Sequence, residues 1–166
     1  MIEELIAANC IKQGDFTLKS GETSNYYFDM KNLISYPQTL KKIGDALYEK
    51  LGDFDIVCGI PYGGLPIAMY ISITYNKPLI YIRDKVKEYG TQNRIEGEFK
   101  KTDRCVLIDD VLTTGGSLQE ALDFLHDKVQ IVKCGVVLDR EQSTYNIDNL
   151  VYVFQKSEIV RNLEKK

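Results

Sequence analysis

The sequence predicts an α/β fold, a mostly parallel, doubly wound sheet flanked by helices, and three observations lead to it. Short apolar runs alternate with segments of helical period along most of the 166 residues. The runs are rich in Val, Ile and Leu, as in strands covered on both faces. The junctions between runs and helices carry Gly, Pro, Ser and Thr, which turn a chain sharply or open a helix.

In chain order, a helical pattern over residues 3–13 comes first. Residues 14–36, rich in Gly, Ser, Tyr and Asn, break the alternation and predict a small N-terminal hood. A helix over 37–51, a strand over 56–60, a helix over 64–75 with Pro66 in its first turn, and a strand over 78–83 follow. Residues 84–104 are charged, contain Gly90 and Gly97 and lack a clean helical period. A connection of that length inside a compact domain is commonly functional, often a lid, so a mobile loop is expected there. The rest reads as strand 105–111, helix 116–128, strands 131–139 and 150–154, and helix 156–164. One domain over 1–166 is expected, without repeats or a linker.

Composition excludes several classes. A net charge of −3 argues against a broad nucleic-acid footprint. No stretch approaches the roughly 18 apolar residues of a membrane span. The acidic opening Met1-Ile-Glu-Glu shows no signal-peptide pattern. Four scattered cysteines, three of them in strand-like runs, fit buried, reduced thiols in a cytoplasmic protein and offer no zinc spacing. His126, alone near the end of a helical pattern, reads as a surface or helix-end residue.

Residues 105–117, Cys-Val-Leu-Ile-Asp-Asp-Val-Leu-Thr-Thr-Gly-Gly-Ser, carry the chemistry. They place Asp109 and Asp110 at the carboxyl end of a buried strand, where open α/β sheets bind ligands. The small residues Thr113 to Ser117 then lead into a helix, whose N-terminal N–H groups suit a phosphate. Acids beside a phosphate repel it unless they serve another purpose, such as accepting bonds from sugar hydroxyls or holding a hydrated cation. The segment therefore suggests a ribose 5-phosphate. It is neither a Walker loop, which needs Gly-Lys-Ser/Thr, nor the dinucleotide fingerprint, because the acids precede the glycines. Capping of the helix by Ser, with acids that merely solvate the strand end, is the bland alternative.

This segment resembles the phosphoribosyl diphosphate (PRPP) signature of the type I phosphoribosyltransferases, and the likeness extends toward the orotate phosphoribosyltransferases. Phe16-Thr-Leu-Lys-Ser-Gly21 and Ser24-Asn-Tyr-Tyr-Phe-Asp29 are similar to that group's N-terminal substrate region. Cys58-Gly-Ile-Pro-Tyr-Gly-Gly-Leu-Pro66 resembles its pyrophosphate loop, and Arg83-Asp-Lys-Val-Lys-Glu-Tyr-Gly90 its mobile catalytic loop. Leu138-Asp-Arg-Glu-Gln142 is similar to a late substrate-contacting turn. The version here looks closer to the orotate domain of eukaryotic UMP synthases than to short bacterial forms.

The resemblance implies the type I phosphoribosyltransferase fold, with a hood and a mobile loop, and transfer of phosphoribose from PRPP to orotate. It implies that Asp109 and Asp110 hold the ribose hydroxyls, and that Val111, Leu112, Thr113, Thr114, Gly115, Gly116 and Ser117 wrap the 5-phosphate. Tyr62 and Gly63 fall on the pyrophosphate-binding pair, although a plain strand-to-helix turn would also favour such residues. Lys19, Arg83, Lys87 and Tyr89 match further PRPP contacts, with Lys85 and Lys87 as catalytic cations near the leaving group. Lys19, Tyr27, Phe28, Thr113 and Arg140 would meet orotate, Arg140 offering a guanidinium fork to its carboxylate. Core packing is the alternative for the aromatic pair, a solvated loop for the charge run, and surface pairing for Arg140.

Mg²⁺ is the implied cofactor, held mainly through PRPP and water with Asp109 and Asp110 as the protein contacts. The implied assembly is a homodimer in which loop 84–104 completes the partner's site. Three departures stand out: Asp84 where the family usually has lysine, Gly63 where some relatives carry lysine, and Tyr89 where many have histidine. Asp84 and Gly63 lend weight to a competing expectation, a PRPP-binding regulator with little catalysis; a transferase for another nucleobase is a further alternative.

Overall fold

Alternation of sheet faces organises the molecule. The computed structural model describes residues 1–17, 21, 23–83 and 94–165. Strands β3 (Ile56–Gly59), β4 (Leu79–Ile82), β5 (Ile95–Glu96), β6 (Arg104–Leu112), β7 (Gln130–Asp139) and β8 (Leu150–Gln155) form one sheet in the order β5-β4-β3-β6-β7-β8. All neighbours are parallel except β5, which pairs antiparallel with β4. Val57, Val106, Ile108 and Val137 point to one face, where helices α2 (Pro37–Leu51) and α3 (Gly64–Tyr75) bury Ile43, Leu47, Ile67 and Ile71. Helices α1 (Ile2–Ala7) and α5 (Lys156–Glu164) add Leu5 and Ile159 to the same layer. Cys58, Cys105, Leu107 and Val136 point to the other face, covered by Leu118, Ala121 and Leu125 of α4 (Gly116–Leu125). Near-continuous apolar strands follow from this two-sided cover.

The four cysteines are buried and free. Burial pushes Cys134 up to about 12, and burial with the nearby Asp29 charge pushes Cys10 up to about 11, so both stay as thiols. Among the described residues no helix is long and apolar enough to cross a membrane.

Helices α2, α3 and α5 have the bounds expected from their periodicity. The opening helix does not. It stops at Ala7 because Asn9 takes a left-handed φ of 53°, and the Ala8 and Asn9 N–H groups close the turn on Glu4 and Ile6. Residues expected in its second half form β1 (Ile11–Thr17), paired antiparallel with β2 (Thr23–Phe28) as a separate two-stranded sheet. A 3₁₀ helix, Met30–Ser35, returns the chain to α2, its start capped by the Asp29 side chain. These pieces constitute the hood. Within 84–104, residues 95–96 are β5 and Gly97, at φ 101°, turns the chain where a Cβ would lie 2.6 Å from the Leu79 carbonyl. Helix α4 ends at Leu125, short of residue 128, and His126 closes it with its ring against the Asp123 carbonyl.

Candidate active site

Strand β6 outruns its neighbour β3. Gly59 pairs with Ile108, and from Asp109 to Leu112 the strand continues beside β7 alone. The two acids therefore stand at the carboxyl edge of β3 rather than at the tip of their own strand, which runs two residues further. Both are buried, at 7% exposure each. The Asp110 N–H donates to Asp109 Oδ1 at 2.8 Å, and the Val111 N–H to Asp110 Oδ1 at 2.9 Å. Asp110 Oδ2 is buried without a hydrogen bond; Lys31 Nζ approaches it only at ion-pair distance, 3.8 Å.

Two carboxyls so placed cannot both ionise cheaply. Burial, and then the charge of Asp110, push the Asp109 carboxyl up to about 8, while Lys31 acts in the opposite sense. At neutral pH Asp109 therefore keeps its proton.

The turn after β3 packs straight onto this pair. Ile60 N–H donates to the Ile108 carbonyl at 2.9 Å, and a Cβ on Gly63 would lie 2.1 Å from the Asp110 carboxyl. A Cβ on Gly64 would lie 2.3 Å from the Ile108 carbonyl oxygen. Glycine at 63 and 64 is thus dictated by close approach. Tyr62, between the cis Pro61–Tyr62 peptide and Gly63, is 73% exposed.

Beyond the acids, Val111 to Ser117 line a recess of about 40 Å³ together with Asp109. Gly115, at φ 90°, is the N-cap of α4, and no side chain caps it, so the first-turn N–H groups face the recess without a partner from the helix. Capping by Ser, the alternative reading of this turn, is absent: Ser117 lies inside the helix. The loop is braced from behind, since Thr144 N–H donates to the Thr114 carbonyl at 3.0 Å and the Thr144 and Ser143 hydroxyls reach the same oxygen.

Arg140 follows β7, its N–H bonded to the Leu112 carbonyl at 3.0 Å and its Nε buried without a partner. Asp139 accepts from the Glu141 N–H at 2.8 Å, and Glu141, at φ 59°, clamps the start of α5 by accepting from the Ser157 N–H and hydroxyl. The Arg140 turn is held on both sides.

Tyr27 and Phe28 are successive strand residues and point to opposite faces of β2. Phe28 packs on the core, while Tyr27 is exposed and lies against Phe16, ring centroids 5.5 Å apart. The pair cannot present two ring faces to one ligand; Phe28 has its backbone to offer. Arg83 lies on the opposite rim, paired with Glu96 at 3.3 Å, and borders a cavity with Pro61, Arg94 and Ser117. Lys19, Asp84, Lys85, Lys87 and Tyr89 lie outside the described residues.

No role is read from the sequence for Lys31, Asp29 or Glu141, although Asp29 and Glu141 lie in the runs similar to substrate-contacting segments. The run Asp29-Met-Lys31 on the hood's return held the only available signal, and nothing in its spacing points at β6.

Among the described residues no group of three His, Cys, Asp or Glu side chains stands together as a metal cage. The acid pair, with one oxygen unbonded, suits a cation met through water.

Residues 29–164 match the model of the phosphoribosyl transferase domain family. Orotate phosphoribosyltransferase of Methanocaldococcus jannaschii is 44% identical over 142 residues, 84% of this chain and 81% of that protein. The crystal structure of orotate phosphoribosyltransferase from Aeropyrum pernix superposes with a TM-score of 0.87 at 30% identity, covering 99% of this chain and 98% of the other. Leishmania donovani UMP synthase superposes with a TM-score of 0.83 at 32% identity, over 99% of this chain but 37% of that longer one. A sheet with a phosphate cradle and twin acids at one edge, matched by that family model over most of its length, makes this chain a member of the type I phosphoribosyltransferase family. Within the family it belongs with the orotate phosphoribosyltransferases.

Proposed function

We propose that this site joins orotate to PRPP, releasing diphosphate and forming orotidine 5′-monophosphate for pyrimidine nucleotide synthesis. The N1–C1 bond forms as the C1–O bond to diphosphate breaks, the electron pair leaving with diphosphate and the N1 proton passing to solvent. Positive charge gathers on the ribose and negative charge on the leaving group, so orientation and electrostatics carry the rate. The supporting observation is the buried acid pair with an unbonded Asp110 oxygen, set between a glycine turn and a phosphate-sized recess. Asp109 and Asp110 take the ribose hydroxyls, Val111 to Ser117 take the 5-phosphate, and the Tyr62–Gly63 backbone takes diphosphate. Arg140, with a buried and unsatisfied Nε, takes the orotate carboxylate, and the Tyr27 face, the Phe28 backbone and Thr113 take the rest of the base.

Mg²⁺ is the cofactor this donor set fits, met by Asp109 and Asp110 through water; when bound it offsets the charge of the diphosphate. Lys19, Arg83, Lys85, Lys87 and Tyr89 retain the roles that the resemblance gives them. We further propose a cytoplasmic homodimer in which loop 84–104 completes the partner's site. Support for a second copy comes from α3, which is apolar on its outer side too: Ile73 and Met69 are 74% and 47% exposed.

Loss of orotate absorbance on adding protein, PRPP and Mg²⁺ is the test. No change with orotate but turnover of uracil or a purine overturns the substrate; PRPP binding without turnover of any base favours a regulator.

A further inference from the structure

The diphosphate turn of this site carries no cation of its own. Gly63 has no room for a side chain, because the Asp110 carboxyl already occupies the space of its Cβ. The turn therefore offers backbone alone, directly against a buried acid, to the most highly charged part of the ligand. Arg83, on the far rim, is paired with Glu96.

Lys31 comes to the same point from the hood. Its Nζ lies 3.8 Å from Asp110 Oδ2, the buried oxygen without a hydrogen bond, and its side chain lines a recess shared with Tyr62 and Gly63. The base of the residue is fixed, since its N–H bonds to the Asp29 side chain at 3.3 Å at the start of the 3₁₀ helix. The tip is free to move: the side chain is 68% exposed and its pairings, with Asp29 at 4.0 Å and Asp110 at 3.8 Å, are long. An ammonium on a flexible stem suits a charge shared between two anions.

We propose that Lys31 is a diphosphate-binding residue: it neutralises Asp110 in the free protein and passes to the diphosphate when the ribose hydroxyls engage that acid. This rests on the reading of the site as a PRPP site. Ligand binding supplies Asp110 with donors and brings phosphate oxygens beside the Tyr62–Gly63 turn, so the better partner for Lys31 changes from carboxylate to phosphate. Lys31 is thereby specific for the substrate that carries diphosphate.

Calorimetry on the full chain with Mg²⁺ separates the possibilities, using PRPP and orotidine 5′-monophosphate, which lacks diphosphate. Lys31→Met should weaken PRPP about tenfold, the loss of one charge-assisted hydrogen bond, and leave orotidine 5′-monophosphate within about twofold. Lys31→Arg should restore PRPP affinity, and thermal melts should match, because the side chain is largely outside the core. Equal weakening of both ligands would make Lys31 a counter-ion to Asp110 alone and overturn the proposal, as would unchanged PRPP affinity. If the unmodified protein binds neither ligand, the reading of the site fails first and the role of Lys31 falls with it.

Discussion

Asp109→Asn should make this protein more stable while removing its ability to hold PRPP. In the folded chain the Asp109 carboxyl is pushed from 3.8 up to about 8, by burial and then by Asp110. The folded state thus binds more protons than the unfolded chain between those two values. Stability from this group falls as pH rises from about 4, and the loss is complete above about 8. A tenfold change in proton affinity on folding is worth about 1.4 kcal/mol. Because the pocket relaxes around charge, an overall cost on the order of 2–4 kcal/mol is expected at pH 9. Asparagine has nearly the same shape, still accepts from the Asp110 N–H, and carries no charge. Its advantage in melting temperature should be near zero at pH 4 and grow to roughly 4–16 °C at pH 9, at about 2–4 °C per kcal/mol for a chain of this size. Calorimetric melts of both proteins at pH 4, 6, 8 and 9 measure it, with PRPP titrations alongside. A melting difference that does not change with pH, or a variant less stable at pH 9, refutes the electrostatic reasoning.

Three other changes test separate parts of the site. Gly63→Ala forces a Cβ into the Asp110 carboxyl, so it should cost about 1–3 kcal/mol in a denaturant melt and raise the KM for PRPP; an unchanged melt and KM would contradict the contact. Arg140→Ala should raise the KM for orotate by about 10- to 100-fold, as expected for a lost ionic hydrogen bond, and leave PRPP affinity within about twofold; steady-state kinetics with each substrate varied decides it. Ile73→Glu places a charge on the exposed apolar side of α3 and should shift the mass in sedimentation from two chains to one, with the fold intact by circular dichroism.

How much of this is legible in the sequence depends on how local the cause is. The acids and the cradle lie within one run of residues, so their juxtaposition is set by covalent connection and can be read directly. Helices α2, α3 and α5 have clear periods and stops: Pro37 opens one, Asn76 in a left-handed turn closes another, and Ser157 begins the last on the Glu141 carboxylate. The opening helix is shorter than its pattern because Ile11 and its neighbours continue an apolar period that is equally compatible with a strand. Tertiary pairing with β2 decides the matter. Strand β5 has two residues, and only its position beside β4 makes it a strand. Lys31 is invisible in the sequence for the same reason: its role is defined by Asp110, which reaches it through the fold alone.

The missed residues share a physical cause with the ones that were found. Two adjacent carboxylates on a buried strand are an unfavourable arrangement, and each surrounding feature responds to it. One acid keeps a proton, the neighbouring turn gives up its side chain at 63, and a lysine leans in from the hood. None of these features is required to form the sheet, since the same strand with Asn at 109 would pack as well and have no proton to lose at high pH. The arrangement is useful only to a ligand that brings its own donors and a cation, and such a ligand relieves the repulsion as it binds. A site that is electrostatically strained when free and relieved when filled discriminates by charge distribution as well as by shape. By that argument, a sugar phosphate without diphosphate should engage the cradle and the acids yet leave Lys31 where it stands, against Asp110.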